Sequence, residues 1–534
     1  MRRRFRASPR VSQPKVSDLR DMADPPPPSS PVGDRPQAGI GRAAAKGVLW
    51  STLGGVAERL VGFLSLAIVV RLMTIEEAGI AMLAASTFDV ILVVSTTGFG
   101  ERIIQNPTAD RALQGTVFWL KMIVCSTLAL IFFAAAGPIS RVFGEPRIVP
   151  LLQVMALLIV TRAIPIVPAA LLARSMNYGW LTLGTLITSV ASAAAGIAVA
   201  VAGFPIWALV AQFIASSVVY TIFAFICARW LPPLRFDARE AWLTIKFGMP
   251  LLASASMSAL SSQASTLLIG ASQPIGAVAL YRIAARLFEV MSQIIVLPVQ
   301  RVLLTTFSAL HGDRDRIEDA FLNLLRVVAA IAFAAYALVA AQGEAIMAIL
   351  FGRDWAPSGV ILAILAVGVL GLVPRAFVNA SLTSVARTRL VLAYTIVVTI
   401  AVVSVVSVAS GFSVTAVAAA QSSVLVATLP LSLFAFHLAF RIAPWRVLGC
   451  MGLPVIAALA AAAASEAAAT QMAHAWPQLH LILRVIAVGV VGAVAFAATH
   501  LAVGPRRTVQ TVRGLLALIG RSGGGKMPSM PISG

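Results

Sequence analysis

The chain has 534 residues, 59% apolar and only 12% charged, with 41 Lys and Arg against 21 Asp and Glu, a net charge of +20 and a mean hydropathy of +0.91. A soluble domain carries about 25% charged residues, so this composition excludes an ordinary water-soluble enzyme and points to one polytopic membrane body. The basic excess does not point to nucleic acid, because no folded basic domain or aromatic-interleaved patch presents it.

Residues 1–45 start Met1-Arg2-Arg3-Arg4-Phe5-Arg6 and run through Pro25-Pro26-Pro27-Pro28. Pro-rich polar sequence buries too little surface to fold, and a disordered cytoplasmic tail is expected. The arginines faintly echo a twin-arginine export signal. The apolar run such a signal needs is displaced to Val48 and beyond, so that reading is rejected.

Fourteen apolar segments follow, near 48–70, 79–98, 115–137, 148–173, 180–202, 205–228, 246–270, 280–304, 325–350, 357–380, 390–410, 412–440, 447–469 and 481–503. Each is long enough to cross about 30 Å of hydrocarbon as a helix. An open sheet would leave unpaired backbone groups in lipid, so the predicted class is an all-α integral membrane protein. Pro165, Pro168, Pro250, Pro298, Pro374, Pro430 and Pro454 are expected to kink their spans. Lys and Arg concentrate in the tails and alternate loops, including Arg102, Arg111, Arg174, Arg229, Arg239, Arg387 and Arg441. The other loops hold only Arg71, Arg141, Arg147, Arg282 and Arg353. This asymmetry predicts that both chain ends lie in the cytoplasm.

The sequence repeats at an offset of about 200. Lys46 matches Lys246, and Phe88-Asp89-Val90 matches Phe288-Glu289-Val290. Phe143-Gly144 matches Phe351-Gly352, Pro165 matches Pro374, and Gly203-Phe204 with Gln212 matches Gly411-Phe412 with Gln421. The common order of these matches predicts two parallel six-helix lobes, 46–230 and 231–445, related by a pseudo-two-fold along the membrane normal. Two extra spans at 446–504 and a flexible cytoplasmic tail at 505–534 complete the chain. That tail holds Gly520-Arg521-Ser522-Gly523-Gly524-Gly525-Lys526, a near P-loop. Met527 stands where Ser or Thr must follow, so it is read as a flexible tail.

Intramembrane charge is costly and usually faces a cavity or a partner. Residues 175–228 and 390–440 carry no charged side chain and read as scaffold. Span 8 instead aligns Arg282, Arg286, Glu289, Gln293 and Gln300 on one helical face. Span 7 has Ser254, Ser258, Ser261 and Ser265 plus Gln263; span 2 has Ser86, Asp89, Thr96 and Thr97; span 1 has Ser51, Gly55, Glu58, Arg59, Gly62 and Ser65. The repeat places these four faces where they can confront each other around a hydrophilic cavity. Structural roles stand beside this one. Glu58 and Arg59 can form a buried ion pair, Arg286 and Glu289 can neutralise each other at i,i+3, and serine stripes can pack helices closely. Arg301 and Arg484 are read as basic side chains that snorkel to the interface, while Arg375, Arg162 and Lys121 stay open between a role in the cavity and snorkelling from near span ends.

Other chemistry is missing from the sequence. Cys125, Cys227 and Cys450 make no framework and read as small hydrophobes. The five histidines show no ligand spacing, so neither a metal site nor a catalytic residue is predicted. Asn379-Ala380-Ser381 falls at the end of span 10, an unsuitable place for glycosylation.

Lys46-Gly47-Val48-Leu49-Trp50-Ser51, then Ala67-Ile68-Val69-Val70-Arg71-Leu72 onward to Gly79, then Gly98-Phe99-Gly100 with Ile103-Ile104-Gln105, resembles the opening of Wzx-type polysaccharide flippases. These share a superfamily with multidrug/toxin (MATE) exporters and peptidoglycan-precursor flippases. Lys246-Phe247-Gly248-Met249-Pro250 and Ala279-Leu280-Tyr281-Arg282-Ile283-Ala284-Ala285-Arg286-Leu287 agree, and the resemblance covers roughly 45–445. Ala279 departs from the glycine usual before the tyrosine motif, which touches helix packing.

The resemblance implies two lobes rocking between inward- and outward-open states, moving an undecaprenyl-pyrophosphate-linked oligosaccharide across the bacterial inner membrane. Arg59, Arg282 and Arg286 would meet the pyrophosphate, and Ser258, Gln263, Gln293 and Gln300 the sugar hydroxyls. Glu58, Asp89 and Glu289 would couple or gate, with H+ or Na+ as the coupling ion. The expected partners are the lipid-linked oligosaccharide, membrane lipids and the polysaccharide polymerase machinery, and the protein is expected to be a monomer. The alternatives are a cation-coupled MATE-like multidrug exporter, which would favour an apolar aromatic cavity with few arginines, and a membrane glycosyltransferase or polymerase. The latter would need acidic groups in loops longer than those here.

Overall fold

The computed structural model describes residues 37–96, 98–106, 109–175, 178–296, 314–384, 388–475 and 480–504. Among them the chain forms helices and no strand. Among the described residues, those from 47 to 504 belong to one compact unit and 37–46 to another.

The first half contains α1 (Gln37–Arg71), α2 (Ile75–Thr96), α3 (Gly100–Gln105), α4 (Arg111–Phe143), α5 (Ile148–Ala163), α6 (Ile166–Arg174), α7 (Tyr178–Val201) and α8 (Ala208–Ala228). The second contains α9 (Ala238–Ser272), α10 (Ile275–Ile295), α11 (Arg314–Ala341), α12 (Gly343–Phe351), α13 (Ser358–Val367), α14 (Val369–Ser384), α15 (Thr388–Ser410), α16 (Val414–Ala427) and α17 (Leu429–Phe440). The extra pair is α18 (Pro444–Ala475) and α19 (Leu481–Val503).

Ten helical stretches are individually long and apolar enough to cross a membrane, and twelve if the bent pairs α5–α6 and α13–α14 each count as one span. The protein is thus an all-α, multi-pass membrane protein. The two predicted spans outside those twelve are α1 and α10. In α10, three charges fall within 21 residues.

The repeat is visible as packing. α2 packs on α5 as α10 packs on α13, α7 on α8 as α15 on α16, and α5 on α8 as α13 on α16. Both fourth spans are bent, by 40° at α5–α6 and 51° at α13–α14. Phe143 and Phe351 each close a helix before a glycine of positive φ, Gly144 at 65° and Gly352 at 113°, a conformation glycine adopts without a Cβ penalty. Arg229 and Arg441 end α8 and α17 in the left-handed region, at φ 47° and 54°, each donating its N–H to the carbonyl four residues back.

The expected kinks are only partly placed by proline. The first bend follows Pro165, but the second lies at Gly368 rather than at Pro374, which continues inside α14. The cause is close packing: a Cβ at Gly371 would collide with the Leu425 carbonyl oxygen, and one at Gly368 would sit 2.9 Å from Leu425 Cδ1. The α16 backbone fits only where α13–α14 turns. Pro250 and Pro454 likewise lie inside continuous helices, whereas Pro430 begins α17. Pro298 lies outside the described residues.

The halves meet through α2 against α9 and α10. Between them, residues 229–237 are strapped to α4. Trp230 Nε1 donates to Gln114 Oε1 (2.7 Å), Trp119 Nε1 to the Pro233 carbonyl (3.0 Å), and the Asp237 amide to Thr116 Oγ1 (3.0 Å). Two further bonds join the halves at opposite ends of the helices. Where α2 ends, Arg102 pairs with Glu240 at 2.5 Å. Where α1 ends, Arg71 Nε donates to the Leu350 carbonyl (2.9 Å), with Nη2 on the neighbouring Ile349 carbonyl. α18 and α19 lie along α11, and Arg446 pairs with Glu318 at 2.9 Å.

Candidate functional site

The polar stripe of α10 begins as a local arrangement. Arg282, Arg286 and Glu289 are spaced four and three residues apart, which brings them to one face. Arg282 Nη1 donates to Glu289 Oε1 at 2.8 Å, and Arg286 Nη1 approaches Glu289 Oε2 at 3.5 Å. One carboxylate therefore bridges two guanidinium groups. Neutralisation within the helix, one of the two roles open from the sequence, is the arrangement observed. The Arg282 side chain is 15% exposed, against 32% and 33% for Arg286 and Glu289.

α2 brings Asp89 to this group from the other half. Gln263 of α9 donates Nε2 to Asp89 Oδ2 at 3.2 Å, a bond that crosses between the halves. The Gln263 amide oxygen is buried without a partner among the described residues. Arg282, Arg286, Glu289 and Arg162 all act electrostatically on the Asp89 carboxylate. Arg162 of α5 donates to Ser216 Oγ at 2.6 Å and lies 5.6 Å from the Phe213 ring centroid. Five charges from α2, α5 and α10, three positive and two negative, thus form one group spanning both halves.

Other predicted site residues lie apart. Glu58 is exposed on α1, where its backbone carbonyl accepts from Ser189 Oγ (3.3 Å). Arg59 is half-buried, with its guanidinium running back over Gly55. Among the described residues neither makes an ion pair with the other or with the α10 group. Ser258 is exposed and bonds its own helix at the Ser254 carbonyl (3.1 Å). Gln293 is half-buried on α10, and Gln300 lies outside the described residues. At the other end of the serine stripe, Ser265 is buried and donates to Gln421 (3.0 Å), so that part packs helices.

Two of the basic residues left open by the sequence turn inward rather than snorkel. Lys121 is fully buried. Its Nζ donates to the Val94 carbonyl at 2.8 Å and lies 4.8 Å from the Phe99 ring centroid. α2 stops at Thr96, which leaves its last carbonyls without intrahelical donors, and Lys121 supplies one. Arg162 is turned inward, onto Ser216 and the Phe213 ring, rather than to an interface. The sequence did hold a sign of this, since position 162 falls near the midpoint of its apolar run at 148–173, beyond comfortable reach of either surface. Arg301 lies outside the described residues.

A family model described as "Polysaccharide biosynthesis protein" matches residues 68–360, more than half of the chain. The chain belongs to this family. The match takes in α2 through α12, and with them every member of the charged group. Within the family's relatives, the chain is 25% identical over 329 residues to the succinoglycan biosynthesis transport protein ExoT of Rhizobium meliloti (strain 1021), covering 61% of this chain and 66% of ExoT. It is 22% identical over 320 residues to the lipopolysaccharide biosynthesis protein WzxC of Escherichia coli (strain K12), covering 58% of this chain and 63% of WzxC. The chain thus spans about two thirds of the length of the curated relatives it matches. Among solved structures, the lipid II flippase MurJ in an inward closed conformation superposes with a TM-score of 0.68 at 11% identity, covering 86% of this chain and all of that one. That likeness places the family member in the MurJ fold. The resemblance to Wzx-type polysaccharide flippases holds at the level of family.

Proposed function

We propose that this member of the polysaccharide biosynthesis family is a flippase. It moves an undecaprenyl-pyrophosphate-linked oligosaccharide repeat unit across the bacterial inner membrane by alternating access, for exopolysaccharide, O-antigen or capsule assembly. Its chain ends lie in the cytoplasm, as the placement of Lys and Arg favours. The observation that carries this reading is the five-charge group shared by α2, α5 and α10, with Asp89 held by Gln263 across the halves. Charged groups inside a membrane body are costly and mark substrate or ion pathways by default. An anionic head group suits the positive excess of this group, and a substrate whose tail stays in lipid suits a fold shared with a lipid flippase.

In this reading Arg282 and Arg286 take the pyrophosphate, for which guanidinium forks provide charge and paired donors. Arg59 joins them when the halves move relative to each other. Gln263, Gln293, Gln300 and Ser258 serve sugar hydroxyls. Asp89, Glu289 and Glu58 couple transport to H+ or Na+, or gate it by exchanging partners. Polymerase machinery would receive the product on the far side.

The test is leaflet-resolved detection of the lipid-linked intermediate in cells with and without the protein. Accumulation on the cytoplasmic leaflet with loss of surface polysaccharide is expected on deletion, with drug susceptibility unchanged. Normal polysaccharide in the deletion strain would reject the reading.

A further inference from the structure

We infer that Glu289 is a resident counter-ion that competes with the substrate head group for Arg282 and Arg286, and thereby favours a head group that reaches both guanidinium groups at once. The inference rests on the flippase reading and deepens it. Glu289 presents one oxygen to each guanidinium, and among the described residues it is the only ion-pair partner of either arginine. A ligand that takes the Nη1 donor of each arginine competes with it directly.

Two features make Glu289 an effective competitor. All three groups sit on one helix, so the pairing needs no closure of the halves and recurs in every state in which α10 is intact. Its local concentration is that of a tethered ligand, far above that of any lipid substrate in free encounter. The second carboxylate does not substitute for it. Asp89 lies on α2, bonded to Gln263, and is not within ion-pair distance of either arginine. Arg286 and Glu289 are about one third exposed, so a ligand can reach the pair without unfolding the helix.

The consequence is a selection on reach rather than on charge. A monophosphate carries about −1.5 to −2 on one phosphorus, spans no further than the Glu289 carboxylate, and gains little in taking its place. A pyrophosphate offers a separate phosphate to each guanidinium and more acceptor oxygens than a carboxylate, and its gain is large. Selectivity for a pyrophosphate-linked lipid over the monophosphate carrier is then set by the residue already bound to the arginines. Release on the far side follows the same logic, because Glu289 re-forms its bridge as the head group leaves.

The experiment measures binding of polyprenyl pyrophosphate and polyprenyl monophosphate to the purified full-length protein by microscale thermophoresis. The proteins are wild type, Glu289→Gln and Glu289→Asp, with unfolding midpoints recorded in parallel. Removing the competing charge in Glu289→Gln is expected to tighten monophosphate binding about tenfold and to lower the pyrophosphate preference by a similar factor. Glu289→Asp, one methylene shorter, cannot bridge both guanidinium groups and is expected to shift the preference the same way by about threefold. A folded sample of either variant suffices. Wild-type binding of the pyrophosphate with an unchanged preference in the folded variants, or weakened binding of both lipids by them, overturns the inference and leaves the flippase reading standing. Wild-type protein that binds neither lipid overturns both.

Discussion

Ser265 donates a hydrogen bond to Gln421 at 3.0 Å, and the positions that match them in the first half, Ser65 and Gln212, are joined in the reverse sense, Gln212 Nε2 donating to Ser65 Oγ at 3.2 Å. In each half a buried serine on the opening helix is tied to a glutamine on the sixth span. Both serines are almost fully buried, at 2% and 3% exposure, so each glutamine satisfies a hydroxyl that has no access to water. Gln421→Leu and Gln212→Leu are each expected to destabilise the protein by about 1–2 kcal/mol, the cost of stranding one buried polar group. Thermal unfolding in detergent should show similar losses for the two single variants and near-additive losses for the double variant, since the sites share no partner.

Lys121 offers a sharper test, because its buried amine is held by contacts that a single substitution removes. Lys121→Met keeps the length and apolar stem of the side chain while removing the donor to Val94 and the cation facing Phe99. A loss of about 1–3 kcal/mol is expected, read as a lower unfolding midpoint and reduced folded yield. A snorkelling lysine would tolerate the change with no measurable loss.

Motion between the halves must break Arg102–Glu240 where α2 ends or Arg71–Leu350 where α1 ends. With Cys125, Cys227 and Cys450 replaced by serine, Arg102→Cys combined with Glu240→Cys is expected to crosslink with a bifunctional methanethiosulfonate whose spacer replaces the length of the two lost side chains. Crosslinking should reduce polysaccharide output at least tenfold, with recovery on addition of reductant. Full output in the crosslinked protein would mean that this contact persists throughout the cycle.

The turn between α4 and α5 carries a pH dependence outside the spans. Glu145 accepts hydrogen bonds from Arg147 Nε (2.8 Å), Nη2 (2.9 Å) and the backbone amide (3.2 Å), and these hold its carboxyl below the usual carboxylate range. With the folded value depressed, the stabilisation is present above the unfolded value of about 4.3 and is lost as pH falls through the folded value. The unfolding midpoint is therefore expected to drop slightly on acidification below about pH 4, and Glu145→Gln should flatten that part of the curve.

Much of the fold was legible in the sequence because lipid imposes one rule on every span. A run of twenty apolar residues must be a helix, and an order of short matches at one offset must be a repeat. Packing placed what periodicity does not encode. Pro374 looked like the bend, but whether a proline bends a helix depends on what passes beside it, and Leu425 passes beside Gly368 and Gly371. The charge on α10 was readable because i, i+3 and i+7 contacts are local. Arg162 and Gln421 were not read as functional or structural partners because their contacts span 54 and 156 residues, and nothing local marks them. The same holds for Gln263, whose polarity was plain while its bond to Asp89 was not.

The strap at residues 229–237 has a mechanical consequence. Because Trp230, Pro233 and Asp237 are fastened to α4, the connection between halves cannot act as slack. Any rotation of the second half is concentrated at the base of α9, a helix of 35 residues and hence a lever about 50 Å long. A tilt of about 10° at Asp237 would sweep the far end by about 9 Å, wider than the breadth of a hexose ring, at that helix length.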